Sequence, residues 1–333
     1  MIFHPSVIAL YVASLLISFM ICYSAYYAVQ ILRKWDINSG SELQLVLERR
    51  TYLVSIILTY LFIFQIISLF LYVYTADHLH VLFVGAMCAA GTLYVNACGY
   101  PALVLKILNF LLAGVWLILN YVDNKAYDYP IIKKKYLLLL IMTPFLLAET
   151  TLQTNYFLRL RPDVITSCCG TLFSAESANI TSELFKLPTI PVKIAFYLCI
   201  ASTVVSGIYF YRKGKGGYVF SSMSIITFLV SIISIISFIS LYFYELPTHH
   251  CPFCILQEEY GHIGYPLYLT LFGSAVFGIG TGALMPFRNV KSLTTILPSI
   301  QRRMTLLSVI LLLIFSAIVT YRIVFSDFIL EGY

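Results

Sequence analysis

The segment VLFVGAMCAAGTLYVNACGYPALVLKILNFLLAGVWLILNY, Val81 to Tyr121, decides how many times the chain crosses a membrane. It is long enough for two transmembrane helices, each of which needs roughly 20 residues. Gly85, Gly91, Asn96, Gly99 and Pro101 thin out its first half, whereas Pro101–Tyr121 reads as one span. On either side, further spans read as Pro5–Leu32, Thr51–Thr75, Tyr136–Leu158, Val192–Tyr211, Tyr218–Tyr244, Ile263–Leu284 and Met304–Phe325. Charge chooses between one crossing and two, because Lys and Arg concentrate in cytoplasmic loops. One crossing puts Arg33, Lys34, Arg49, Arg50, Lys125, Lys133–Lys135, Arg212, Lys213, Lys215, Arg288, Lys291, Arg302 and Arg303 on the cytoplasmic side, fifteen of twenty-one basic residues. The opposite side keeps Arg159, Arg161, Lys186 and Lys193. Two crossings invert every loop after residue 100, and the rule then fails. The reading is an all-α, polytopic membrane helix bundle of eight spans with both termini outside. Residues 81–100 then form an interfacial or re-entrant segment on the outer side.

Composition agrees. Of 333 residues, 60% are hydrophobic and 11% charged, with a mean hydropathy of +0.89. A soluble domain is about a quarter charged, and about 200 apolar residues exceed what one soluble core of this size hides. The expected surroundings are therefore lipid, in a plasma or inner membrane. A sizeable soluble catalytic domain is excluded, and the net charge of +6 is explained by loop topology without nucleic acid as a partner. No basic n-region precedes the first apolar run, so no cleaved signal peptide is read there. The longest outer loop, Arg161–Pro191, carries Pro162, Pro188 and Pro191 among Ser and Thr residues and suits a cap. Its Asn179-Ile180-Thr181 triplet matches a glycosylation acceptor, a pattern that also arises by chance.

Eight cysteines divide by position. Cys22 and Cys199 lie inside spans and read as small apolar packing residues. Cys88, Cys98, Cys168, Cys169, Cys251 and Cys254 all map to the outer face, where disulfides persist. His4, His78, His80, His249, His250 and His262 lie at outer span ends as well. The sharpest motif is His249-His250-Cys251-Pro252-Phe253-Cys254-Ile255-Leu256-Gln257, at the start of the seventh span. Cysteines at i and i+3 on a helix N-terminus share a face, and the helix dipole there stabilises a thiolate on the first. Proline suits the first turn. Such a pair exchanges between dithiol and disulfide; the plain alternative is a static disulfide or two packed thiols. Cys168 and Cys169 are adjacent, and the strained eight-membered ring disfavours a bond between them. Each therefore pairs elsewhere, with Cys251, Cys88 or Cys98, either as a relay to an external thiol protein or as a staple.

The order from the fourth span to the seventh is helix, outer loop with cysteines, helix, helix, then Cys-x-x-Cys opening the last helix. This order resembles the vitamin K epoxide reductase family, a four-helix bundle that passes electrons between thiols and a quinone. The Cys251–Gln257 string is also similar to the quinone-facing motif of DsbB-type disulfide oxidases. The resemblance covers residues 136–285 and implies a redox-like bundle there. Residues 1–135 would form an N-terminal region of three spans and 286–333 a C-terminal span. It implies that Cys254 lies nearest the quinone with Cys251 as its exchange partner. Cys168 and Cys169 would be shuttle cysteines serving a thioredoxin-like protein, and Gln257 and Glu258 would fall beside the quinone. The family separates its loop cysteines, and the DsbB-type motif carries Arg where this chain has Glu258.

Metal binding is the competing reading. His249, His250, Cys251 and Cys254 form a local imidazole–thiolate set, and Cys88 and Cys98 add soft ligands. Sulfur with imidazole suits copper or zinc. A third reading is a non-catalytic subunit of a membrane complex. Haem is disfavoured, because no histidine lies mid-span and no Cys-x-x-Cys-His occurs. Lys106 and Glu149 are ionisable residues within spans, where a charge needs a partner or a wet cavity. Ser231, Ser234, Ser237, Ser240 and the Gly278-x-x-x-Gly282 pair read as helix-packing surfaces.

Overall fold

The computed structural model describes residues 4–37, 39–161, 164–166, 189–247, 249–326 and 328. Among them, eight helices are long and apolar enough to cross a membrane, and no strand occurs. Their order is α1 Pro5–Lys34, α2 Glu42–His78, the short α3 Ala89–Tyr94, α4 Gly99–Asp123, α5 Ile132–Leu158, α6 Thr189–Lys213, α7 Gly217–Ser234, α8 Ser240–Tyr244, α9 Gly264–Ala283 and α10 Leu297–Phe325. A π-helical turn, Ile235–Ile239, joins α7 to α8 in one span. The stretch before α4 forms no helix long enough to cross: it folds as a single 3₁₀ turn, His80–Leu82, followed by six residues of α3.

The chain forms two compact units. The first comprises Met1–Thr75, Asn96–Arg161 and Pro286–Ser299. In it α5 packs against α1 and α4, around an apolar core that includes Ile21, Phe62, Trp116, Tyr136 and Met142. Two buried ion pairs link α4 to α5. Lys106 Nζ lies 2.7 Å from Glu149 Oε1, and Glu149 Oε2 accepts from the amides of Gln65 at 2.6 Å and Asn109 at 2.5 Å. Lys135 Nζ lies 2.7 Å from Asp123 Oδ2, with both side chains essentially inaccessible. The first pair is the one its two in-span charges suggest. The second joins residues that look like ordinary loop-end charges in the sequence.

The second unit comprises Ala76–Val95, Pro162–Met285 and Ile300–Tyr333. Here α7 packs against α6 and α9. Small residues permit the close approach: a Cβ at Gly278 would sit 2.5 Å from Ser224 Cβ, and one at Gly282 would sit 2.4 Å from Ser221 Cβ. Ser274 and Ser308 donate to each other's carbonyls at 2.9 and 2.8 Å and join α9 to α10. Exchanged hydroxyl–carbonyl bonds of this kind hold helices together where the surrounding solvent offers no hydrophobic drive.

Candidate functional site: three buried thiols and a histidine

Two non-helical segments of the second unit meet. One is the approach to α3, and the other links α8 to α9. Cys88 precedes α3 in extended backbone, and Asp77 Oδ1 accepts the Ala89 N–H at 3.1 Å, which fixes the start of that short helix. Gln257 Nε2 donates to Asp77 Oδ1 at 3.2 Å and to the Met87 carbonyl at 2.9 Å. One amide side chain thus ties the Cys88 segment to the Cys-x-x-Cys segment. The latter is also held from inside. The Tyr244 hydroxyl donates to the Cys251 carbonyl at 2.5 Å and accepts from the Ile255 N–H at 3.0 Å. The Tyr268 hydroxyl donates to the Pro252 carbonyl at 2.6 Å.

These ties bring three sulfurs together. Cys88 Sγ lies 3.4 Å from Cys251 Sγ, and the sulfurs of Cys88, Cys251 and Cys254 all fall within 4.8 Å of one another. All three cysteines are buried. His249 Nε2 lies 3.3 Å from Cys254 Sγ, and the imidazole packs edge-on to Tyr244 with centroids 4.5 Å apart. Among the described residues, no His, Asp or Glu joins the three sulfurs inside their common radius. The core of the site is therefore three thiols, with an imidazole at its Cys254 side.

The helix-terminus expectation for Cys251 and Cys254 is corrected. Cys251 lies in irregular chain, Cys254–Leu256 makes one 3₁₀ turn, and α9 begins only at Gly264. Extended backbone at Gln257 and left-handed backbone at Gly261 separate the motif from that helix. The proline of the first helical turn is Pro266, not Pro252. No helix N-terminus stabilises a thiolate here; burial instead pushes the Cys251 thiol well above its ordinary value. Burial, reinforced by the neighbouring His250, holds His249 below the ordinary imidazole value.

The remaining sequence candidates fall as follows. His250 donates through Nδ1 to the Ile236 carbonyl at 3.1 Å, which lies within the π turn. A π turn displaces helix carbonyls from their usual partners, and the imidazole satisfies one of them. Gln257 serves as the backbone tie just described, and Glu258 is exposed at the start of the 3₁₀ turn Glu258–Tyr260. Cys98 belongs to the first unit, directly before α4. His80 donates to the Asp77 carbonyl. Cys168 and Cys169 lie outside the described residues, whereas the nearby Thr166 lies within them. The Thr166 N–H donates to the Val84 carbonyl at 2.9 Å, and a Cβ on Gly85 would meet the Thr166 carbonyl oxygen at 2.0 Å. Gly85 also has φ +87°. Gly85→Ala is expected to cost more than the about 1–2 kcal/mol of left-handed strain alone, because the carbonyl must move as well. Thermal unfolding, together with trypsin sensitivity of the 161–191 loop, checks this.

Sequence reading missed Asp77, Tyr244, Tyr268 and Gly85. An acidic residue at a span end and tyrosines among twenty-six carry no distinguishing signal, and Gly85 read only as a thinning of the apolar run.

The sulfur spacing is compatible with a bound thiophilic ion. A metal about 2.3 Å from each of two sulfurs at tetrahedral angles holds them about 3.8 Å apart. The observed separations, 3.4 Å for one pair and within 4.8 Å for all, bracket that value. Two of the sulfurs can alternatively close a disulfide, leaving the third as an exchange partner. No protein-family model matches the chain, and no curated protein or solved structure does either.

Proposed function

We propose that the protein is a membrane-embedded binding protein for Cu(I), held by Cys88, Cys251 and Cys254 on the face that loop charge assigns to the outside. The ion is cargo, taken up and passed on there. The observation that carries this reading is the convergence of three buried sulfurs, from segments 163 residues apart in sequence, within 4.8 Å. Soft thiolate ligands select Cu(I) and zinc. Cu(I) is satisfied by a trigonal three-sulfur shell, whereas zinc takes four ligands and would have to recruit His249. His249→Ala is therefore expected to leave Cu(I) binding in place and to weaken Zn(II) binding by at least about tenfold, by loss of one of four ligands. Competition titrations with bicinchoninate for Cu(I) and with a zinc chromophore check this. Equal losses for both ions would show that His249 supports both and would overturn the three-sulfur Cu(I) shell.

A second reading draws support from the 3.4 Å Cys88–Cys251 separation. In it the cluster is a thiol–disulfide centre, as the resemblance to quinone-linked oxidoreductases implies. Two thiols form one S–S bond and release two protons and two electrons, which reduce a membrane quinone to its quinol. A thioredoxin-like protein acting through Cys168 or Cys169 would restore the thiols. Thiol–disulfide exchange joins only two of the three converged sulfurs at a time, whereas one bound ion engages all three, which places this reading second. Alkylation before and after mild reduction, with metal analysis of the same sample, separates the two. Three free thiols with about one copper retained support Cu(I) binding, since a single three-sulfur shell holds one ion. A readily reduced Cys88–Cys251 or Cys251–Cys254 disulfide without metal supports redox exchange.

A further inference from the structure

Beside the thiol site, and distinct from it, the second unit holds an open cavity of about 610 Å³. Its volume falls in the range of roughly 300–1,000 Å³ typical of small-molecule sites. Ile263 and Ile318 belong to its apolar wall, Tyr260 and Tyr321 add aromatic rings, and Glu259 and Arg322 bring opposite charges to the same lining. These two charges are not spent on each other. The Arg322 guanidinium donates through Nε to the Tyr242 carbonyl and through Nη2 to the Phe243 carbonyl, each at 3.2 Å. Its Nη2 also pairs with Glu245 at 3.3 Å, which leaves the Nη1 donors for a ligand. Glu259 is exposed.

We propose that this cavity binds the headgroup of a zwitterionic phospholipid, with its ammonium at Glu259, Tyr260 and Tyr321 and its phosphate at Arg322. The lining carries one carboxylate, Glu259, and one guanidinium, Arg322, and that guanidinium is already paired with Glu245 outside the lining, so an anionic headgroup meets no excess of positive charge and faces the Glu259 carboxylate. A headgroup that carries its own cation complements both ends. Ammonium groups are attracted to aromatic faces as well as to carboxylates, and guanidinium forms strong, directed hydrogen bonds to phosphate. The Ile263 and Ile318 wall accepts the first part of an acyl chain. Tyr321 lies on the last turns of α10, at a span end, where headgroups sit. Tyrosines are enriched at that level.

The cavity also touches the structure that holds the cysteines. The Tyr260 ring packs against the Tyr244 ring with centroids 4.9 Å apart, and Tyr244 carries the Cys251 carbonyl. The lipid assignment nevertheless stands independently of any metal at the thiols.

The test is competitive lipid retention. The full-length protein is reconstituted into nanodiscs containing equal amounts of phosphatidylethanolamine and phosphatidylglycerol. Lipid that stays bound after release is then identified by native mass spectrometry. The expected result is several-fold retention of phosphatidylethanolamine over phosphatidylglycerol in the parent protein, and loss of that preference in Glu259→Gln. Glu259 is exposed, so this variant folds as the parent does. Equal retention of the two lipids, preference for phosphatidylglycerol, or an unchanged preference in Glu259→Gln overturns the proposal.

Discussion

Glu149→Leu is expected to lose about 3–5 kcal/mol of stability, the usual cost of leaving one partner of a buried ion pair uncompensated. Lys106 is almost fully buried. Apart from Glu149, its ammonium finds the Ser68 hydroxyl at 3.2 Å and the Tyr72 ring at 5.3 Å from the centroid. Removing the carboxylate also strips an acceptor from the Gln65 and Asn109 amides, which both donate to Glu149 Oε2. Replacing both charges at once, as Lys106→Met with Glu149→Leu, is expected to recover the part of the loss that comes from the uncompensated charge, while the Gln65 and Asn109 amides stay without their acceptor. Thermal unfolding of the four proteins in one detergent completes the cycle. A single variant as stable as the parent would show that the pair does not hold α4 and α5 together.

The second large effect concerns the thiols. Replacing Cys88, Cys251 or Cys254 singly by Ser is expected to abolish competitive Cu(I) binding, since hydroxyl is a poor ligand for a soft ion. The same change at Cys22, Cys98 or Cys199 is expected to leave it intact. Cys88 is the informative member. It lies in a different segment from the other two, so a pair-only site would tolerate its loss and a three-sulfur site would not. Circular dichroism of each variant separates lost binding from lost fold. Binding that survives Cys88→Ser contradicts the three-sulfur account.

The helical architecture was legible because membranes impose two strong regularities, span length and the sidedness of Lys and Arg. Together they resolve Val81–Tyr121 into one crossing, and the structure has eight candidate spans with a short α3 before α4. The Lys106–Glu149 pair was legible for a related reason, since a charge inside an apolar run demands a partner. Asp123–Lys135 was hidden because both residues sit at span ends, where charge is ordinary. The Cys-x-x-Cys motif announced itself, but its backbone did not. Pro252 mimics a helix start that Pro266 actually provides, and the intervening turn depends on left-handed backbone at Gly261 and His262. Cys88 and Cys98 were indistinguishable in sequence. Only the Asp77–Gln257–Met87 hydrogen bonds, formed between residues up to 180 positions apart, select Cys88 for the cluster.

The most direct test of the central claim is X-ray absorption at the copper edge on protein loaded anaerobically with one equivalent of Cu(I). A first shell of three sulfur ligands, unchanged by His249→Ala, is expected. A two-sulfur shell, a shell dominated by nitrogen or oxygen, or failure to retain copper against bicinchoninate would contradict it.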